Sequence, residues 1–518
     1  MKRILLALPL ALSLALGLAP APAAAQDAPP EPAPPVTAPA TGAVDKDIAE
    51  QAAEISAEVD DDKGFITRFL ERNLSGAGRQ VIITGFQGAL SSRATFTEMT
   101  IADADGVWIT LKNGAIQWDR SALFARRIDI TELSAAEILL PRLPDSGERQ
   151  RKAEVRDFAL PTLPVAVNIA RIKADRVEIG EPVIGEAAVV SIDGSMNLAG
   201  GEGTTRLAIN RVDGKRGVFA VDAAYSNATT NLKLDVTLDE DRGGIFANLV
   251  KLHDRPAVRA EIRGEGLLKD FAADIRLATD GVDRVTGRAS ARAQAGDDGS
   301  PGTGFRLELA GDVASLLPPD NRDFFGASSK LLAEGWRGQN GRLSVPALLI
   351  DTEALNLTGS VTTNDKGAPQ SLVVLMTLGE DAGATTLPVR LPFGGEPTDV
   401  RSGSLQISYD ASKGDGWTVA GRIGDIEQNG NRIGALTLRG DGTVRLTDGD
   451  LDQVLGRLSF GADGLALKDA GLQQALGTTI TGESGFDLTP GNALELSDFT
   501  LGGQDYGLFG TILVDGLR

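Results

Sequence analysis

At 518 residues the chain exceeds one ordinary hydrophobic core, which leaves several domains or one extended structure. Its 62 glycines, 5% aromatics and absence of cysteine suit many short strands joined by tight turns, held together without disulfides. A formal net charge of -20 argues against nucleic acid as a partner and against broad adhesion to anionic headgroups, since both need a concentrated positive surface.

Residues 1–25 read as a targeting segment. Lys2 and Arg3 precede an apolar run from Ile4 to Leu18, and Ala23-Ala24-Ala25 fits a small-residue cleavage site. The run is short for a full membrane span, so a cleaved signal peptide is the first reading and a retained signal anchor the second. Either way the rest of the chain is expected to be exported. Residues 26–62 combine a Pro/Ala-rich linker with a short helix, because Ile48, Ala52, Ile55 and Val59 fall on one side at helical spacing. A further amphipathic helix is expected at Phe65, Ile66, Phe69 and Leu70. Strands then follow at Val81–Phe86, Ala94–Ala102, Val107–Lys112, Ala115–Trp118 and Arg127–Leu133. Asn113-Gly114, between Trp108 and Trp118, predicts a hairpin with a type I′ turn.

Within residues 63–144 the words FLERNLSGAGRQV, ITGFQGALSSRATF, TIADADGVWITL and WDRSALFARRIDITELSAAEI occur in this order. They resemble the N-terminal region of the TamB family, the inner-membrane subunit of the translocation and assembly module, within the wider AsmA-like group. Shorter echoes follow at Leu252–Gly266, Asp270–Gly281 and Leu316–Gly326. Members of that family usually run longer and end in a further domain, so the resemblance implies an N-terminal fragment. It also implies a periplasmic protein of a Gram-negative bacterium, tethered to the inner membrane through its N-terminus. The implied partners are phospholipid acyl chains and a barrel protein in the outer membrane, and the implied roles are lipid transport and outer-membrane protein assembly and secretion.

From residue 145 to 518 the pattern is period-two alternation, with one face apolar and one face wet. The apolar rows include Leu232, Leu234 and Val236; Phe271 and Ile275; Leu307 and Leu309; and Leu355, Leu357 and Val361. They continue with Leu372, Val374 and Met376, then Leu405 and Ile407. Short helices are expected at Ile245–Leu252 and Asp320–Phe325. No fixed repeat is visible, which disfavours a propeller or a regular β-helix, and the lack of alternating helices excludes a doubly wound fold. Stacked sandwiches or one long curved sheet remain. By themselves such rows read as core, buried under a second sheet. The resemblance implies instead a mainly β, antiparallel-rich sheet curved into an elongated trough, whose rows line a groove for acyl chains.

No catalytic residue, metal ligand or cofactor motif stands out. The single histidine, His253, has no accompanying nucleophile motif and reads as a partner for a helix C-terminus. Asp103-Ala-Asp105-Gly106 and Asp448-Gly-Asp450-Leu-Asp452 lack the glutamate and flanking helices of a calcium loop and read as turns. Gly200-Gly201-Glu202-Gly203 has no following helix and is not a dinucleotide fingerprint. The expected protein is therefore not an enzyme. The alternative to a lipid conduit is a chaperone-like β-scaffold that binds outer-membrane barrel clients by strand addition.

Overall fold

A computed structural model describes residues 80–88, 92–125, 127–144, 160, 165–392, 396–489, 494–503 and 505–514. The targeting segment, the linker and the helices expected before residue 80 lie outside this set. The described chain is mainly β, with 67% strand and 9% helix, in one long sheet of 26 strands that does not close into a barrel.

The strands follow one another in chain order. β1 (Gln80–Thr84), β2 (Arg93–Asp103), β3 (Gly106–Asp119) and β4 (Arg127–Leu140) pair antiparallel as a meander. β5 (Ala166–Ile179) then pairs parallel with β4, and this pairing carries the sheet across position 144 without a break. β6 (Ala188–Ala199), β7 (Glu202–Arg211), β8 (Gly217–Ser226) and β9 (Asn231–Glu240) continue antiparallel. So do β10 (Val258–Leu267), β11 (Asp270–Thr279), β12 (Val282–Ala295) and β13 (Pro301–Gly311). β14 (Ser329–Gly338), β15 (Leu343–Asp351), β16 (Leu355–Thr363) and β17 (Pro369–Gly379) extend it further. The short β18 (Val389–Arg390) and β19 (Thr398–Val400) form a side hairpin, and β17 pairs directly with β20 (Ser402–Asp410). β21 (Gly416–Gln428), β22 (Asn431–Thr447), β23 (Asp450–Asp463), β24 (Thr479–Leu488), β25 (Leu494–Gly502) and β26 (Gly507–Val514) complete the succession. At about 4.8 Å between neighbours, such a sheet is on the order of 110 Å long.

Turn chemistry explains the meander. Gly200 and Gly201 both take positive φ at the β6–β7 reversal, and Asp448 and Gly449 do so at β22–β23. These are the conformations that two-residue hairpin loops demand. The helices are short and sit at strand ends. Ile245–Leu249 stops before the expected Leu252, and Pro319–Phe325 begins one residue before the expected Asp320 and ends as expected. Two more, Glu181–Ile184 and Ala470–Leu476, are not among the helices expected from the sequence. Asp469 caps the second by accepting from Leu472 N at 2.8 Å.

The sheet is curled. The β16–β17 turn meets the β22–β23 turn, where Asn364 Nδ2 donates to the Gly449 carbonyl and Lys366 Nζ to that of Asp448, both at 2.6 Å. Four strands lie between those turns, a separation of roughly 19 Å in a flat sheet. Tyr409, Trp417 and Val444 are buried beneath this closed rim. At the opposite ends of the same strands Phe324, Ala354, Leu378, Val389 and Val400 form a second cluster.

The hairpin expected at Asn113-Gly114 is not formed. β3 runs unbroken through both residues, paired with β2 and β4, and Asn113 alone turns to φ 48. The glycine is there for a different reason. A Cβ on Gly114 would stand 2.0 Å from the Phe96 ring of the neighbouring strand, so the ring lies flat over the glycine backbone. Gly114→Ala is expected to destabilise the protein by about 1–3 kcal/mol through this overlap. In a Phe96→Ala background the same change is expected to cost far less, and urea denaturation of the four variants in a double-mutant cycle measures the coupling.

Candidate functional site

Directly opposed residues on paired strands share a face of the sheet. Followed partner by partner, the register draws one line across the molecule. It starts with Ala94, Ile116, Leu133, Ile172, Gly194 and Leu207 on β2 to β7. It continues through Val221, Val236, Ile262, Ile275, Gly287 and Leu309 on β8 to β13. Leu331, Ile350, Leu357, Met376 and Leu405 extend it over β14 to β20. Gly421, Leu438, Phe460, Gly482, Leu501 and Leu508 bring it to β26. Every member is apolar or glycine.

All of the sequence-predicted groove residues fall on this face. Val236, Ile275, Leu309, Leu357, Met376 and Leu405 lie on the line itself. Leu232, Leu234, Phe271, Leu307, Leu355, Val361, Leu372, Val374 and Ile407 lie on the same face in the rows beside it. Leu307 is buried, at 3% exposure, and every other one of these residues is half-buried. Leu355 packs at the edge of the Phe324 cluster and Leu372 at the edge of the Tyr409 cluster, so those two help to close the rims.

The expected set began only at Leu232. On β5 two register shifts space the face as Ile169, Ile172, Ala174 and Val177 rather than every second residue, which hides that strand from a period-two reading. Alanine and glycine members, such as Ala94 and Gly194, also carry no hydrophobic signal of their own.

Over β7 to β13 the opposite face is charged. Arg206, Asp222, Asp235, Arg263, Asp274, Arg288 and Glu308 are consecutive cross-strand partners from β7 to β13. Ion pairs join Arg206 to Asp222 at 2.9 Å, Arg263 to Asp235 at 3.1 Å and Arg288 to Asp274 at 3.6 Å. From β7 to β13 the sheet therefore has one wet surface and one apolar surface. Further on the opposite row continues through Leu332, Leu349, Thr358 and Leu375, and among the described residues no second sheet is laid on the face of the apolar line.

The candidate chemical residues sit in structural roles. His253 lies beyond the helix end at Leu249, with Nε2 at 3.4 Å from Asp254 Oδ1, so it is not the helix's terminal partner. Asp103 accepts from Asp105 N at 2.9 Å within its turn and pairs with Arg142 at 2.5 Å. Asp450 pairs with Lys366 at 2.9 Å in the rim contact described above. No group of three His, Cys, Asp or Glu side chains among the described residues is arranged to hold a metal ion, and no described helix is long and apolar enough to cross a membrane. Comparison of the chain with known protein families, curated proteins and solved structures finds no match.

One ionisable cluster is buried. At one rim Arg211, with its side chain at 4% exposure, pairs with Glu186 at 2.9 Å and Asp213 at 2.8 Å, while Arg255 reaches Glu186 at 2.7 Å. Glu240, at the end of β9, accepts from Phe246 N at 2.9 Å and so caps the helix Ile245–Leu249. Burial pushes the Glu240 carboxyl above its ordinary value of 4.5, against the Phe246 and Ile245 amides and Arg211, which favour its charge. A raised acid binds its proton more tightly in the folded state. Its charge therefore costs nothing well below 4.5, and the cost develops as pH rises through the folded pKa. Glu240→Gln keeps the acceptor and removes the charge. It is expected to be more stable than the parent at neutral pH, with the difference shrinking towards pH 4.5, as followed by thermal denaturation across that range.

Proposed function

We propose that this protein is a non-catalytic lipid conduit of the bacterial envelope, carrying phospholipid acyl chains along the apolar face of its sheet. The observation that carries this reading is the unbroken apolar line from Ala94 to Leu508, only partly buried along most of its length. A closed core would bury such residues almost completely, and an amphipathic sheet of this length needs some apolar occupant for its uncovered face. An acyl chain moving along it exchanges one apolar surrounding for another and avoids about 0.8 kcal/mol of water exposure per CH₂. The headgroup stays in solvent along the open side.

The resemblance of residues 65–144 to the TamB family supports the same reading. On this proposal the protein works in the periplasm, tethered to the inner membrane, with a barrel partner in the outer membrane. The charged opposite face over β7 to β13 suits a surface that stays in water.

Leu357 and Leu307 test the reading together. Leu357→Asp is expected to leave circular dichroism and expression near the parent's, because the carboxylate reaches water from a half-buried position. Lipid recovered with the purified protein, measured by mass spectrometry, is expected to fall sharply. Leu307→Asp buries an unpaired charge and is expected to destabilise by several kcal/mol. Unfolding of both variants, or undiminished lipid in Leu357→Asp, would remove the conduit.

A second reading, strand addition to outer-membrane barrel clients, has one observation in its favour. Among the described residues β26 pairs on one side only, and its sequence GLFGTILV carries no charge. Such an edge is a template for another strand. An unfolded barrel client is expected to protect the amides of residues 507–514 from hydrogen exchange, and unchanged exchange there would exclude that role for this edge.

A further inference from the structure

The most exposed large apolar side chain among the described residues is Phe124, at 95% exposure. It stands on a six-residue 3-10 helix, Arg120–Ala125, which joins the ends of the two 14-residue strands β3 and β4. The tip is therefore at a rim of the sheet. It is built to hold its shape. Asp119 Oδ1 accepts from Ser121 N at 2.8 Å and from Ser121 Oγ at 2.6 Å, and these bonds hold the Asp119 carboxyl below the usual carboxylate range. Ala122 is buried against the strand ends, which fixes the turn from beneath. A phenylalanine exposed on a loose loop can fold back onto apolar surface. One raised on a capped turn is presented outward.

The charge around it runs against the rest of the chain. The protein carries -20 overall, yet the sequence puts Arg120, Arg126 and Arg127 within four residues of this phenylalanine, with Asp119 the only carboxylate from Asp119 to Arg127. Arg127 pairs with Asp129 at 3.1 Å while its side chain stays exposed. Asp119 is engaged in the cap. An aromatic ring flanked by arginines is the arrangement that enters the headgroup layer of a membrane. The ring sits at the level of the acyl boundary, and the guanidinium groups bond to phosphates. Phe509 on β26, the other strongly exposed phenylalanine, has no charged residue from Gly507 to Val514 and lacks this arrangement.

We propose that the Arg120–Arg127 connection is a membrane-docking tip, which inserts Phe124 into an anionic phospholipid surface. This is a different site from the apolar line. It requires only that the rim of β3 and β4 meets a bilayer, and it stands whether or not lipid travels along the sheet.

The absence of cysteine allows a local test on the full chain. Ala125→Cys, labelled with an environment-sensitive nitrobenzoxadiazole dye, places a single reporter beside Phe124. The protein is mixed with vesicles of phosphatidylglycerol and phosphatidylcholine, or of phosphatidylcholine alone. The N-terminal segment contributes equally to every variant, so the dye reports the tip. With anionic vesicles the emission is expected to rise and shift to shorter wavelength, and spin-labelled lipid is expected to quench it. Adding Phe124→Ser, or Arg120→Gln with Arg127→Gln, is expected to lower the fraction of inserted tip roughly tenfold, and added salt is expected to act in the same direction. Circular dichroism confirms that the sheet is intact. Leu357→Asp is expected to leave the signal unchanged, which separates this result from failure of the conduit. A dye that stays in water with anionic vesicles, a signal indifferent to Phe124→Ser, or an equal signal on phosphatidylcholine alone would each overturn the proposal.

Discussion

The structure depends on register. Side chains alternate between faces at every residue, so a slip of one position in any strand pair would turn the following strand's apolar row to the wet side. A succession from β1 to β26 multiplies that risk, yet the apolar line from Ala94 to Leu508 is never crossed by a polar residue. Several pairs contain register shifts, among them β14–β15 between Glu334 and Trp336 and β15–β16 between Val345 and Leu348. In each case Leu331, Ile350 and Leu357 remain opposed beyond the shift, so the bulges bend the sheet and leave the line intact.

Curvature comes from what lies on the apolar face and at its rims. Glycines on that face sit under large side chains of adjacent strands, as Gly114 does under Phe96 and Gly482 under Phe460. The covered glycine lets the neighbouring strand approach without a second bulky group, and the ring recovers the apolar contact that glycine cannot supply. Where the rims close, at Asn364 and Lys366 against the Asp448–Asp450 turn, the aromatic cluster of Tyr409 and Trp417 fills the space beneath. Exposed ion pairs on the other face, such as Arg206–Asp222, contribute little stability one by one. Their consequence is specificity, because opposite charges directly across strands favour the native register over its slipped alternatives.

Among the described residues no second layer covers the amphipathic sheet, so its apolar surface is only partly buried, which a folded chain avoids unless that surface has an occupant. The conduit reading supplies one of matching chemistry, and the proposed docking tip at Phe124 would give the same sheet a way to meet the lipid surface. The buried cluster around Arg211 and Glu186 lies at a rim, where it fixes strand ends.

By itself the sequence determined the strand class, the alternation, the turn positions and the helices near residues 245 and 320, because all of these are local. Leu357, Val374 and Ile407 were legible as members of one face from period two alone. Three things were decided only by the tertiary structure. Asn113-Gly114 has the chemistry of a hairpin turn, but pairing of β3 with both β2 and β4 holds it in one strand, and the glycine answers to Phe96 across the sheet. Ile172 and Leu207 belong to the line through register shifts and opposed partners, which no local period encodes. Leu307 and Leu309 look alike in sequence, yet one is buried and the other half-exposed, because burial depends on what neighbouring strands and rims place above each residue. Alternation is a property of a single strand; which residues align, and what covers them, belongs to the whole sheet.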